Sequence, residues 1–137
     1  MKYYVLEGKA YWSNIFEPDS QYFNPTYRLS LTTTPEKSAK LASEGIKIQR
    51  IDYGNHDQYL FMLQKKACYG DKNFPAPSVY DKEGNKFELE DEIPNGHPVK
   101  VKFSIVKGTM YDVTIASLIA IKLLEDIPHE FDNVESF

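Results

Sequence analysis

Val99, Val101, Phe103 and Ile105 alternate with Lys100, Lys102 and Ser104. A period of two sends the first set toward a core and the second toward solvent or a ligand. The same period recurs over 26–33, where Tyr27, Leu29 and Leu31 alternate with Arg28, Ser30 and Thr32. Residues 9–16 are aromatic and β-prone and stop at Glu17-Pro18-Asp19-Ser20, a turn signal. Strands are also predicted over 46–52 and 58–66, joined through a hairpin-like turn at Tyr53–Asp57. The apolar positions of 111–124 do not keep one parity, which predicts a long last strand with a bend or bulge. One helix interrupts this pattern: Thr34 can cap it, Pro35 suits its first position, and Gly45 ends it. Residues 70–77 read as an irregular loop, Asp81–Gly84 as a turn between short strands, and Ile93–Pro98 as a loop.

Five or more strands, one short helix and no alternation of strands with helices predict a mainly β chain. The expected architecture is a small, partly open, five-stranded OB-fold-like barrel, the barrel of this size best known for holding oligonucleotides on a strand face and its loops. The length of 137 residues suits one domain. The charge divides that length unevenly. Residues 125–137 carry five acids (Glu125, Asp126, Glu130, Asp132, Glu135) and no Lys or Arg. Residues 1–124 carry 15 acids against 16 basic residues, so the net charge of −4 describes a near-neutral body and an acidic tail. The expected division is therefore a barrel domain over 1–124 and a flexible acidic tail over 125–137. Such a tail is short and self-repelling, so it does not fold alone.

Catalysis finds little support. His56, His97 and His129 fall in turn, loop or tail contexts. No phosphate-cradling glycine motif and no His-x-x-x-His pair is present. Cys68 is alone, so it offers neither a disulfide nor a zinc pattern and fits a reducing compartment. No apolar run is long enough to span a membrane, and the start of the chain lacks the apolar centre of a signal peptide. The expectation is a non-enzyme without metal or cofactor.

Aromatic residues make up 14% of the chain, more than a minimal core needs. Holding a single nucleic-acid strand requires cations that follow the phosphates and flat rings on which bases stack. Candidate cations on or beside strands are Arg28, Lys47, Arg50, Lys65, Lys100, Lys102 and Lys107; candidate rings are Trp12, Tyr22, Phe23, Tyr59 and Tyr111. Bland readings stand beside these. Trp12 suits a core as well as a ligand face, Phe61 and Phe103 belong to the core, and Lys100 and Lys102 would be solvated on any barrel. Tyr22, Phe23 and Tyr111 weigh more, because they fall in loops.

The order of these motifs resembles a known family, the replication single-stranded DNA-binding proteins of T-odd-type coliphages and related phage barrel proteins. The likeness runs through Ala10-Tyr11, Pro18-Asp19, Asn24-Pro25 and Tyr27, resumes at Asp81–Lys86 and Ile93-Pro94, and is strongest over Val99–Val106. An acidic tail ending in Phe137 completes it. The resemblance implies sequence-independent binding of single-stranded DNA in phage replication, recombination and repair, in the cytoplasm of the bacterial host. It also implies that the tail, through Glu130, Asp132, Glu135 and Phe137, contacts replisome proteins (polymerase, helicase-primase) and competes with DNA. A homodimer is compatible with this reading. The rival expectation is a protein-interaction module with weak or no DNA binding, which the near-neutral body favours.

Overall fold

The structure is a computed structural model that describes residues 2–20, 24–53, 56–69, 71–107 and 113–128. Among these, the elements follow in the order β1 (Tyr3–Asp19), β2 (Thr26–Thr33), α1 (Pro35–Ser43), β3 (Ile48–Tyr53), β4 (His56–Lys66), β5 (Cys68–Tyr69), β6 (Lys72–Asn73), β7 (Ser78–Tyr80), β8 (His97–Lys107) and β9 (Thr114–Leu123). The main sheet has the order β3-β4-β2-β1-β8-β9-β7. A parallel pairing of β4 with β9, at Leu63↔Ala116 and Gln64↔Ser117, closes β1, β2, β4, β8 and β9 into a five-stranded barrel. One edge of β4 is thereby shared: residues 56–61 lie against β3, and Leu63 and Gln64 lie against β9.

The barrel interior follows the predicted alternation. Leu29, Leu31, Phe61, Leu63, Val99, Val101, Phe103, Ile121 and Leu123 are buried in one core. The helix is capped as its sequence predicts, with the Thr34 hydroxyl accepting the Lys37 N–H at 3.2 Å and Gly45 reversing the chain at φ +98°. Its buried Leu41, with Ile46 just beyond, joins the core.

Three elements, β1, the β5–β6 ribbon and the second half of β8, differ from the sequence expectation, while the bulge expected in the last strand is present. The first strand begins at Tyr3, well before residue 9, and carries Pro18 within it. It starts early because Tyr3–Ala10 pairs residue by residue with β8, from Tyr3↔Ser104 to Ala10↔His97. Lys72 and Asn73, within the loop expected over 70–77, pair with Tyr69 and Cys68 as the β5–β6 ribbon. The last strand has its bulge: Lys102 faces Ala120 while Phe103 faces Leu118, so Ile119 is the extra residue. Beyond this step the outward row of β8 breaks, and Ser104, expected on the solvent side with the lysines, is buried.

The start of the acidic segment packs on the barrel. Ile127 lies against the core, the His97 Nε2 is 2.9 Å from the Glu125 carbonyl oxygen, and Lys82 Nζ pairs with the Asp126 carboxylate at 3.2 Å. That carboxylate raises the pKa of the Lys82 ammonium by hydrogen bonding and attraction. Residues 129–137 lie outside the described residues.

Candidate nucleic-acid interface

The register of β2 against β4 decides what the barrel shows to solvent. Leu29 lies beside Leu63 and Leu31 beside Phe61 on the interior face of the two neighbouring strands. The alternate rows, Arg28 with Gln64 and Ser30 with Met62, therefore point outward. They form part of an open groove of about 710 Å³. Around them it is lined by Trp12, Asn14 and Asp19 of β1, by Ile46 and Lys47 just before β3 and Ile48 and Gln49 at its start, and by Thr114–Ala116 at the start of β9.

The groove combines the surfaces a single strand needs. Trp12 is 46% exposed and Met62 42% exposed, so both leave apolar area open to a ligand. Arg28 and Lys47 supply cations, with Arg28 Nη1 3.9 Å from the Met62 sulfur. Asp19 and Thr114, which line the groove, also end the strands that lead into the β1–β2 and β8–β9 connections. Those connections carry Tyr22, Phe23 and Tyr111, which lie outside the described residues, as do Glu130, Asp132, Glu135 and Phe137.

Trp12 reaches the groove through an irregular strand. Its φ is +52°, a left-handed conformation rare for a bulky side chain and one that clusters at functional sites. From the pair Tyr11↔Ser30 to the pair Asn14↔Arg28, β1 uses one residue more than β2. This bulge re-aims the indole.

The structure separates the other candidates into distinct places. Lys100 and Lys102 lie on the outward face of β8, beside the first half of β1 rather than in the groove. Lys100 Nζ is 3.9 Å from Glu7 Oε1, and Lys102 Nζ sits 4.8 Å over the Tyr3 ring. With Val5, Tyr80 and Lys122 they border a shallow cavity of about 120 Å³. Arg50 and Tyr59 face each other across β3 and β4; Tyr59 lines a third hollow, of about 420 Å³, with Lys9, Thr32 and Lys37. Lys65 shares the inward parity of Phe61 and Leu63, and burial lowers the pKa of its ammonium. Lys107 ends β8 opposite Thr114, next to the groove.

Sequence reasoning had missed Asn14, Ser30, Gln49, Met62 and Gln64 as lining residues. Uncharged polar residues on strands, and a Met beside an apolar run, carry no signal of their own. Their outward row becomes visible only when the β2–β4 register is known. Among the described residues, no group of three or more His, Cys, Asp or Glu could hold a metal ion, and no helix is long and apolar enough to cross a membrane.

No protein-family model and no curated protein matches the chain. Solved structures do. The chain is similar to gp2.5, a single-stranded DNA-binding protein encoded by bacteriophage T7, with a TM-score of 0.67 and 19% identity over 97% of this chain and 96% of that one. It is similar to the single-stranded DNA-binding protein from bacteriophage Enc34 (TM-score 0.64, 13% identity, 96% and 85% covered). The Enc34 protein in complex with single-stranded DNA gives 0.65 at 12% identity, covering 93% of this chain and 89% of that one. This barrel has the fold of these two phage single-stranded DNA-binding proteins. The sequence resemblance over Ala10–Val106 is to proteins of this same kind.

Proposed function

We propose that the chain is a non-catalytic, sequence-independent binder of single-stranded DNA. It acts in phage DNA replication, recombination and repair, in the cytoplasm of an infected bacterial cell. The observation that carries this reading is the open groove across β2 and β4, with the exposed Trp12 ring beside Arg28 and Lys47. Bases stack on Trp12 and the phosphates run along the cations; Tyr22, Phe23, Lys107 and Tyr111 extend the path from the connections at its ends. The Enc34 protein of the same fold, solved with single-stranded DNA, supports it.

Titration of a fluorescein-labelled oligo(dT) by anisotropy, over a series of salt concentrations, tests the reading. Affinity is expected to fall with salt, each neutralised phosphate adding about 0.7 to the logarithmic slope. Arg28→Ala with Lys47→Ala should reduce that slope by about 1.4. Lys100→Ala with Lys102→Ala, on the other face, should change it less. Binding indifferent to salt, or a larger effect of the second pair, would overturn the proposed site.

The acidic segment has a role of its own in this reading. Glu130, Asp132 and Glu135 compete with DNA for the groove cations, and Phe137 with its neighbours contacts polymerase and helicase-primase. Because Ile127 packs on the core, the informative deletion is 129–137 rather than 125–137. It should tighten oligo(dT) binding at low salt; an unchanged or weaker affinity would refute the competition.

A further inference from the structure

Just beyond Trp12, β1 parts from its neighbour β2. Between Asn14↔Arg28 and Asp19↔Thr26, β1 spends five steps against two on β2, and its backbone donors there turn elsewhere. The loop before β8 accepts them. Glu92 Oε1 takes the N–H groups of Ile15 at 2.7 Å and Phe16 at 2.9 Å and the Ser13 hydroxyl at 3.1 Å; Glu92 Oε2 takes the Glu17 N–H at 2.9 Å. Asn95 Oδ1 accepts the Trp12 N–H at 2.8 Å, and the Gly96 N–H donates to the Ala10 carbonyl at 2.7 Å. Ile93, buried in the core between these two polar residues, fixes the loop. Neither Glu92 nor Asn95 lines the groove.

We infer that Asn95 and Glu92 are positioning residues for nucleic-acid binding, a clamp that holds the β1 bulge in its left-handed turn and so fixes the Trp12 indole as a rigid stacking platform in the groove. The inference rests on the single-strand reading of that groove. Two features favour a function over ordinary loop packing. A single carboxylate accepts three consecutive backbone N–H groups, those of Ile15, Phe16 and Glu17, where β1 has parted from β2. The one residue at positive φ that is not glycine, among those described, has its N–H capped by a side chain from a distant loop. A platform held in advance loses less freedom when a base stacks on it, which strengthens binding without adding a contact.

Trp12 is the single tryptophan, so its emission reports on the clamp directly. In the full chain, Asn95→Ala is expected to weaken oligo(dT) binding by about 3- to 10-fold, the worth of one hydrogen bond. Asn95→Asp, which keeps an oxygen acceptor, should restore most of it. Trp12→Ala should weaken binding by about 5- to 150-fold, the worth of one stacked base. In the Trp12→Ala background, Asn95→Ala should then cost less than about twofold. An equal loss in both backgrounds would show that Asn95 acts on the fold in general and would overturn the inference. Glu92→Gln, milder than Glu92→Ala, should fall between wild type and Asn95→Ala. Time-resolved anisotropy of Trp12 without DNA judges the clamp separately. Asn95→Ala should free the indole, and unchanged indole motion would sink the proposal. Failure of the wild-type chain to bind oligo(dT) would instead sink the reading of the groove, leaving the indole measurement to decide the clamp.

Discussion

Phe103→Ala is expected to lower the free energy of unfolding by about 4 kcal/mol, the largest single effect in the molecule. Phe103 is fully buried on β8. Its ring stacks on Tyr4 with centroids 5.5 Å apart and meets Phe61 at 5.4 Å and a tilt of 53°. These rings come from β1, β4 and β8, so the cluster ties together strands on both sides of the barrel. Truncation removes the transfer free energy of the ring and leaves a cavity that a closed barrel cannot collapse to fill. Tyr4 carries the effect outward, because its hydroxyl donates to Glu44 Oε2 at 2.8 Å and links the core to the end of α1. Urea unfolding followed by circular dichroism measures the loss. Val106→Ala, exposed on the same strand, should stay within about 0.5 kcal/mol of wild type. A Phe103→Ala loss below about 2 kcal/mol would show that the ring cluster is not the keystone argued here.

Gly8→Ala is expected to cost about 3 kcal/mol and roughly 10 °C in melting temperature. A β-carbon at Gly8 would lie 2.2 Å from the Thr32 carbonyl oxygen, with Leu31 Cγ and Thr32 Oγ1 each at 3.1 Å. The first of these is backbone and cannot swing aside. The position is crowded because β1 changes partners there, pairing with β8 up to Ala10 and with β2 from Ala10 onward. Thr32 also accepts the Lys9 N–H through its hydroxyl at 2.8 Å. A side chain at residue 8 would prise β2 from β1, and β2 carries Arg28 and Ser30 of the groove. Oligo(dT) affinity should therefore fall along with stability. A melting temperature within about 2 °C of wild type would show that the seam can open without cost.

Much of the barrel was legible because its strands obey simple alternation. Residues 26–33 match β2 residue for residue, and Val99, Val101 and Phe103 are buried as their parity requires. The helix was legible because capping is local: Thr34 and Pro35 act on its first turn and Gly45 just past its last. The first half of β1 was not legible, since Tyr3, Tyr4, Val5 and Leu6 are apolar on both faces and give no period. The candidate site was legible only in part. Trp12, Arg28 and Lys47 converge as ring and cations. Lys100 and Lys102 share their chemistry but lie on another face, and Lys65 shares the inward parity of the core. Charge and aromaticity mark a residue as able to bind; they do not say on which side of a closed sheet it stands.

The amino-acid sequence by itself determined the β class, the single capped helix, the core face of β2 and β8, and the split between a near-neutral body and an acidic end. Each depends on neighbours in the chain or on counting charges. Only the tertiary structure decided the closure of β4 on β9, the groove between the outward rows of β2 and β4, and the reach of Glu92 and Asn95 back to the Trp12 bulge. These depend on register between segments far apart in the chain. A shift of one residue in that register reverses every side chain of a strand, and no local pattern carries that information.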